Sequence, residues 1–188
     1  MIMMMLEGGA KSHQRCSAFV MLSVAVGLLS LLFAAGWIGG LRINTTQSEP
    51  LGLWRIVPLA RSVRPGEMVF VCPPDNAAMR EARQRGYIRT GLCPGGFGPL
   101  IKTVIAVAGQ QVDVTDRVAI DGVIIPNSRI IGVDGRGRSL LHDQSGVVRP
   151  GEVYLHSDFI GSWDSRYFGP VPDSGVLGLA QEVLTYAP

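Results

Sequence analysis

The sequence predicts a mainly β protein, a β-rich domain behind one N-terminal transmembrane helix. Two observations carry this. Ala18 to Leu41 runs for 24 residues without a charge. Beyond it, short apolar runs alternate with turns supplied by a chain containing 24 glycines and 12 prolines, and helical patterning is confined to one further stretch.

At helical rise the uncharged run spans roughly 36 Å, enough to cross a hydrocarbon core of about 30 Å with some tilt. Lys11, His13 and Arg15 precede it and only Arg42 follows closely. The positive-inside rule therefore places residues 1–17 in the cytoplasm and residues 42–188 on the far side of the membrane. Ala34-Ala35-Gly36 offers small residues for signal cleavage, but the run exceeds the roughly 7–15 residues of a signal-peptide core. Residues 18–41 are expected to be an uncleaved single-pass anchor in contact with the lipid bilayer. The methionine-rich opening is expected to be an unstructured start.

After the anchor, Arg42 to Ser48 is polar and leads to Pro50 and Gly52. Glu67 to Val71 is a strand. Asn76 to Arg85 has helical character, and Arg80, Arg83, Arg85 and Arg89 are expected to form its solvated face. Leu100 to Ala108 is a longer strand ended by Gly109. Gln111–Val114, Val118–Ile120 and Val123–Ile125 are short strands, the last two joined at Asp121-Gly122. Gly132 to Gly146 is expected to be the most mobile loop. Val153–His156 and Val176–Tyr186 complete the strands. Arg64-Pro65-Gly66-Glu67 and Arg149-Pro150-Gly151-Glu152 echo each other, each a Pro-Gly turn feeding a strand.

The net charge is +2 with the signs mixed along the chain. No basic stripe with interleaved aromatics marks a nucleic-acid surface, so no nucleic-acid partner is expected. Cys72 and Cys93 lie beyond the anchor, where an oxidising compartment permits a disulfide between them. Without a C-x-x-C spacing or clustered histidines they form a poor zinc set, and no metal or cofactor is expected.

From Arg42 onward there are fifteen basic residues, of which only Lys102 is a lysine. It sits in the apolar run Leu100 to Val107. Arginine stays charged, whereas a desolvated lysine gives up its proton, so Lys102 is a candidate general base. A lysine snorkelling from a strand end fits the same residues. Ser48, in Thr46-Gln47-Ser48-Glu49-Pro50-Leu51-Gly52, suits either a fixed nucleophile or an ordinary polar turn. A serine hydroxyl needs a neighbouring base. His13 falls on the cytoplasmic side and His142 in the mobile loop. His156, in Leu155-His156-Ser157-Asp158, leaves a Ser-His-Asp arrangement open beside a Ser–Lys dyad. In Gly161-Ser162-Trp163-Asp164-Ser165-Arg166-Tyr167-Phe168-Gly169-Pro170-Val171, Asp164 and Arg166 can pair and Ser162 can reach a lysine amine. A structural turn held by a salt bridge fits that block too.

Taken together, three blocks resemble the type I signal peptidases, nearest to the TraF-like conjugal-transfer branch. They are a serine followed by Pro and Gly after an anchor, a lysine in an apolar strand 54 residues later, and the Ser-x-Asp-Ser-Arg-Tyr-Phe-Gly block. The resemblance covers about Asn44 to Val183. It implies a signal-peptidase-like β fold and a serine endopeptidase with Ser48 as nucleophile and Lys102 as general base. It further implies that Ser162 holds the Lys102 amine, that Asp164 and Arg166 brace the region, and that Thr46 joins the Ser48 amide in an oxyanion hole. General signal peptidases carry Gly-Asp-Asn-Arg shortly before the Ser-x-Asp block. His156-Ser157-Asp158-Phe159 stands there instead, which favours the TraF-like branch. That branch implies an exported, pilin-like precursor as substrate, with or without joining of its new ends into a ring. It also implies conjugative transfer or type IV secretion components as partners, and an inner-membrane protein with a periplasmic catalytic domain. A general signal peptidase for secreted preproteins and a non-catalytic envelope component are the alternatives.

Overall fold

A computed structural model describes residues 6–187, with side chains from residue 17 onward. The methionine-rich opening and the side chains of Lys11, His13, Arg15 and Cys16 lie outside the described residues. The chain divides after Leu41 into two units.

The first unit is one helix, α1 (Leu6–Ile38). Its segment Ser17–Ile38 is long and apolar enough to cross a membrane, and its side chains are exposed on all faces. A helix apolar all round has no water-facing side, as a membrane span requires. Gly40, at φ 81°, turns the chain out of it.

The second unit is built on two sheets. The strands are β1 (Leu41–Asn44), β2 (Leu51–Val57), β3 (Met68–Val71), β4 (Thr90–Cys93), β5 (Leu100–Val107), β6 (Gln111–Val114), β7 (Val118–Ile120), β8 (Val123–Ile124), β9 (Gly146–Val147), β10 (Glu152–His156), β11 (Val171–Pro172) and β12 (Val176–Tyr186). Seven of them form one sheet in the order β1-β2-β12-β3-β5-β10-β11, and four form a smaller sheet in the order β8-β7-β6-β9. Two short helices, α2 (Ala77–Arg85) and α3 (Ser165–Phe168), decorate the frame.

β5 is the spine. It pairs antiparallel with β3 through Val69↔Lys102 and with β10 through Leu155↔Val104 and His156↔Thr103. Val104 belongs to the main core with Val69, Val71, Phe97 and Leu155. Ala106 belongs to a second core with Val112, Val118, Val148 and Tyr154, under the small sheet. Ile101 packs with Trp54 and Phe70 in a third. One strand thus reaches three apolar clusters, and the only lysine beyond the anchor sits in its buried part.

The expected strands form to within a residue or two of their anticipated ends. Asn76 caps α2, its side chain accepting from Met79 N–H at 2.9 Å. The two Pro-Gly turns are alike, with Gly66 at φ 87° and Gly151 at φ 79°, and each donates the following Glu N–H back to its Arg carbonyl at 3.1 Å. The arginine face of α2 is less solvated than expected. Arg83 lies 5.0 Å over the Phe97 ring, and Arg85 donates to the Ser139 carbonyl at 3.0 Å. The loop expected to be most mobile is knitted by Asp134. Its carboxylate accepts from Arg136 N–H at 2.8 Å, Arg138 N–H at 2.9 Å, the Arg138 guanidinium at 2.6 Å, and the Tyr87 hydroxyl. Six elements were not anticipated: β1, β2, β4, β9, β11 and α3. Cys72 and Cys93 are joined as a disulfide, Cα atoms 5.5 Å apart, tying the chain after β3 to the end of β4.

Candidate active site

The turn between β1 and β2 presents Ser48. Asn44, at the end of β1 and 9% exposed, organises it. The Asn44 amide nitrogen donates to the carbonyls of Thr46 at 3.0 Å, Glu49 at 2.9 Å and Pro50 at 3.0 Å. Its oxygen accepts from Thr46 N–H at 3.0 Å and from the Thr46 hydroxyl at 2.7 Å. Buried Trp54 adds a bond from its indole N–H to the Pro50 carbonyl at 2.9 Å. A six-residue turn is thereby laced to one side chain at its root and one beneath it.

Lys102 meets this turn from β5. It is 2% exposed, and its Nζ lies 3.0 Å from Ser48 Oγ and 2.9 Å from the Ile101 carbonyl. Burial pushes the ammonium below its ordinary pKa and the nearby Arg166 charge pushes the same way, against the pull of Asp164 and Glu49. The neutral amine can accept the Ser48 proton while still donating to Ile101.

Glu49, half-buried beside the nucleophile, has its carboxyl pushed up to about 7 by burial. Lys102 and the Ser157 hydroxyl pull it back down, Asp158 pushes it further up, and His156 lowers it.

Behind the dyad lies a buried polar block. Asp164 and Arg166 are both 0% exposed. They share two charge-assisted bonds, Nε to Oδ1 at 2.7 Å and Nη2 to Oδ2 at 2.8 Å. Arg166 spends its remaining donors on the carbonyls of Arg129 at 3.0 Å and Ser162 at 3.2 Å. Asp164 also caps α3 through Arg166 N–H at 3.2 Å. Burial pushes the Asp164 carboxyl up, but the approach of His156 and the hydrogen bonds and charge of Arg166 outweigh it and hold the carboxyl below its usual range. His156 Nδ1 stands 3.5 Å from Asp164 Oδ2, without hydrogen-bond geometry. Trp163 stacks on Tyr167 with centroids 5.2 Å apart and roofs this block.

Against the sequence expectations, Ser48 and Lys102 come together, and Asp164 and Arg166 pair beneath them. Two residues differ. Both Thr46 donors are committed to the Asn44 side-chain oxygen, so the hydroxyl proton is spent within the turn. Ser162 Oγ is buried without a hydrogen-bond partner, and Lys102 bonds to Ser48 and Ile101 instead. The Ser-His-Asp alternative does not assemble, because His156 Nε2 is engaged with the Pro126 carbonyl at 3.2 Å and Ser157 donates to a backbone carbonyl. Asn44, Glu49 and Ser157 were missed. Asn44 had a legible signal, an asparagine opening a turn. The others show only once the chain is folded. Among the described residues, no group of three or more His, Cys, Asp or Glu side chains offers a metal site.

A serine and a buried lysine brought together on an antiparallel frame behind an apolar helix define a signal-peptidase type of protein. The chain belongs to the family described as signal peptidase, peptidase S26, which matches residues 13–185. That membership makes it a serine-type peptidase. Within the family it falls in the TraF-like branch. It is 58% identical over 168 residues to a probable conjugal transfer protein TraF of Sinorhizobium fredii, covering 89% of this chain and 87% of that one. It is 55% identical to a conjugal transfer protein TraF of Agrobacterium tumefaciens, covering 94% and 99% of the two chains. It is 38% identical to a plasmid transfer protein TraF of Escherichia coli, covering 92% and 98%. A signal peptidase I structure from Enterococcus faecalis aligns with TM-score 0.39 and 19% identity, over 63% of this chain and 97% of that one.

Proposed function

We propose that this protein is an inner-membrane endopeptidase whose Ser48–Lys102 dyad cleaves an exported precursor, a pilin-like protein of a conjugative transfer system, on the periplasmic side. The observation that carries the dyad is the 3.0 Å approach of a wholly desolvated lysine amine to Ser48 Oγ. The names of these relatives, conjugal or plasmid transfer proteins, support the conjugative setting, and the pilin-like substrate follows from the resemblance to that branch.

In this reading neutral Lys102 takes the Ser48 proton as Oγ attacks the scissile carbonyl. The developing oxyanion faces the Ser48 amide, and the protonated Lys102 amine then gives its proton to the leaving nitrogen as the C–N bond breaks. Water resolves the acyl-enzyme, or an amine does so if the ends are joined. Asp164 and Arg166 hold the wall behind the lysine. An extended substrate adds a strand along the sheet edge, where β1 leads directly into the nucleophile's turn. Anchoring confines the search to precursors held at the same membrane.

The test is precursor processing in cells carrying Ser48→Ala or Lys102→Ala, with mapping by mass spectrometry of the serine trapped by an acylating inhibitor. Loss of processing at normal protein levels and labelling at Ser48 are expected. Labelling of another serine overturns the assignment, and unaffected processing in both mutants makes the protein a non-catalytic envelope component. Efficient cleavage of unrelated preproteins by the purified enzyme would make it a general signal peptidase.

A further inference from the structure

The nucleophile is gripped from a second side, by a residue distant in the chain. Ser157 directly follows β10 and is 1% exposed. Its hydroxyl donates to the backbone carbonyl of Ser48 itself, across 109 residues of sequence, and accepts from Phe159 N–H at 3.3 Å. Its own N–H donates to Asp164 Oδ2 at 3.2 Å, the oxygen that also receives Arg166 Nη2 at 2.8 Å. A continuous line of bonds therefore runs from the Ser48 peptide through Ser157 to the buried Asp164–Arg166 pair.

The other contacts on the turn leave this peptide free. Asn44 holds the carbonyls of Thr46, Glu49 and Pro50, and the one hydrogen bond shown from Lys102 to this turn goes to the Ser48 hydroxyl. The torsion about the Ser48 Cα–C bond sets the angle between its carbonyl and its Cα–Cβ bond, so turning about that bond with the carbonyl loose lets Oγ shift against Lys102 Nζ. Ser157 is what opposes that rotation.

We infer that Ser157 is a positioning residue: its hydroxyl clamps the Ser48 carbonyl and so sets the nucleophile's Oγ against the Lys102 amine. The inference rests on the Ser48–Lys102 reading. It gives a role to the His156-Ser157-Asp158-Phe159 segment that departs from the Gly-Asp-Asn-Arg run of general signal peptidases.

Misplacing a reacting atom by about 1 Å costs on the order of 100-fold in rate. Ser157→Ala removes the clamp while keeping the backbone N–H to Asp164 and creating almost no cavity. The experiment measures kcat and KM for cleavage of a pilin precursor by the purified full-length enzyme, together with the melting midpoint. The set is Ser157→Ala, Ser157→Thr, Ser157→Cys and Ser48→Ala. The expected result is a kcat lowered roughly 10- to 100-fold in Ser157→Ala, with KM within about threefold and the midpoint within a few degrees. Ser157→Thr, which keeps the hydroxyl, restores most of kcat, and Ser157→Cys, a weaker donor, falls between. Wild-type kcat in Ser157→Ala overturns the inference, as does a loss that Thr does not restore in a folded protein. If Ser157→Ala does not fold, the Thr and Cys variants decide, and equal kcat values in these two overturn it. Activity in Ser48→Ala would instead fell the dyad reading, whatever Ser157 does.

Discussion

Lys102 is a cation placed where a cation is disfavoured, and its stability and its chemistry follow from the same burial. Its folded pKa lies below the unfolded value of 10.5. Between those two values the unfolded chain binds the proton and the native one does not. The contribution to stability is therefore full above the unfolded pKa and falls away as pH drops through the folded one. Lys102→Met should lose all processing yet melt higher than the parent at neutral pH. Lys102→Arg, which cannot shed its charge, should be both inactive and less stable. Melting curves with a processing assay check both, and activity in the Arg variant would remove Lys102 as base. In the parent, the rate should rise with pH as the amine deprotonates. Glu49 runs the other way. Its carboxyl goes from 4.5 unfolded to about 7 folded, so the native state holds the proton more tightly and loses stability as pH rises through that window. Glu49→Gln should flatten the stability profile there, leave the protein unchanged at low pH, and raise its midpoint at pH 8. A parallel offset at every pH would show that the carboxyl does not titrate in this window.

At the scale of elements, the nucleophile's turn depends on how β1, β2 and β12 meet. Gly52, the second residue of β2, stands at φ 128° and pairs with Thr185 of β12, one position beyond the bulge between Glu182 and Leu184. A Cβ there would lie 2.3 Å from the Leu184 carbonyl oxygen. Gly52→Ala must both adopt a conformation foreign to L-residues and push two strands apart, so it should destabilise by more than about 1 kcal/mol. Displacing the base of the turn should also lower kcat. Chemical denaturation and kinetics on the same sample test this, and a neutral substitution would mean that β2 does not close on β12 at this register. The same elements explain what the sequence made legible. β5, β6, β7, β10 and β12 announce themselves by apolar runs or alternation between glycine turns. β2 hides because Gly52 reads as a turn and its burial is uneven, and β1 because Arg42 and Asn44 read as polar linker. α3 has only four residues, too few for periodicity, and exists because Asp164 caps it and Gly169 ends it. The approach of Lys102 to Ser48 was legible because lysine is scarce. Ser157 was not, because its partner is the Ser48 backbone and no pattern encodes a contact across 109 positions.

For the whole molecule, two separate features bear on which side of the membrane the peptidase unit occupies. The first is charge. Lys11, His13 and Arg15 precede the apolar segment and Arg42 alone follows it closely, which favours a cytoplasmic N-terminus. The second is Cys72–Cys93, a bonded pair within the unit beyond the helix. Disulfides persist in the periplasm and are reduced in the cytosol, and closing a loop of this length stabilises by about 3 kcal/mol in the chain-entropy model. Both support the proposed periplasmic placement of residues 42–188. Protease added to intact spheroplasts should digest this unit, and the cysteines should resist alkylation until a reductant is added. Reduction should lower the melting midpoint of the purified protein. A unit that survives protease until the spheroplasts are lysed, with both thiols free, would reverse the orientation. It would then require a substrate processed before export.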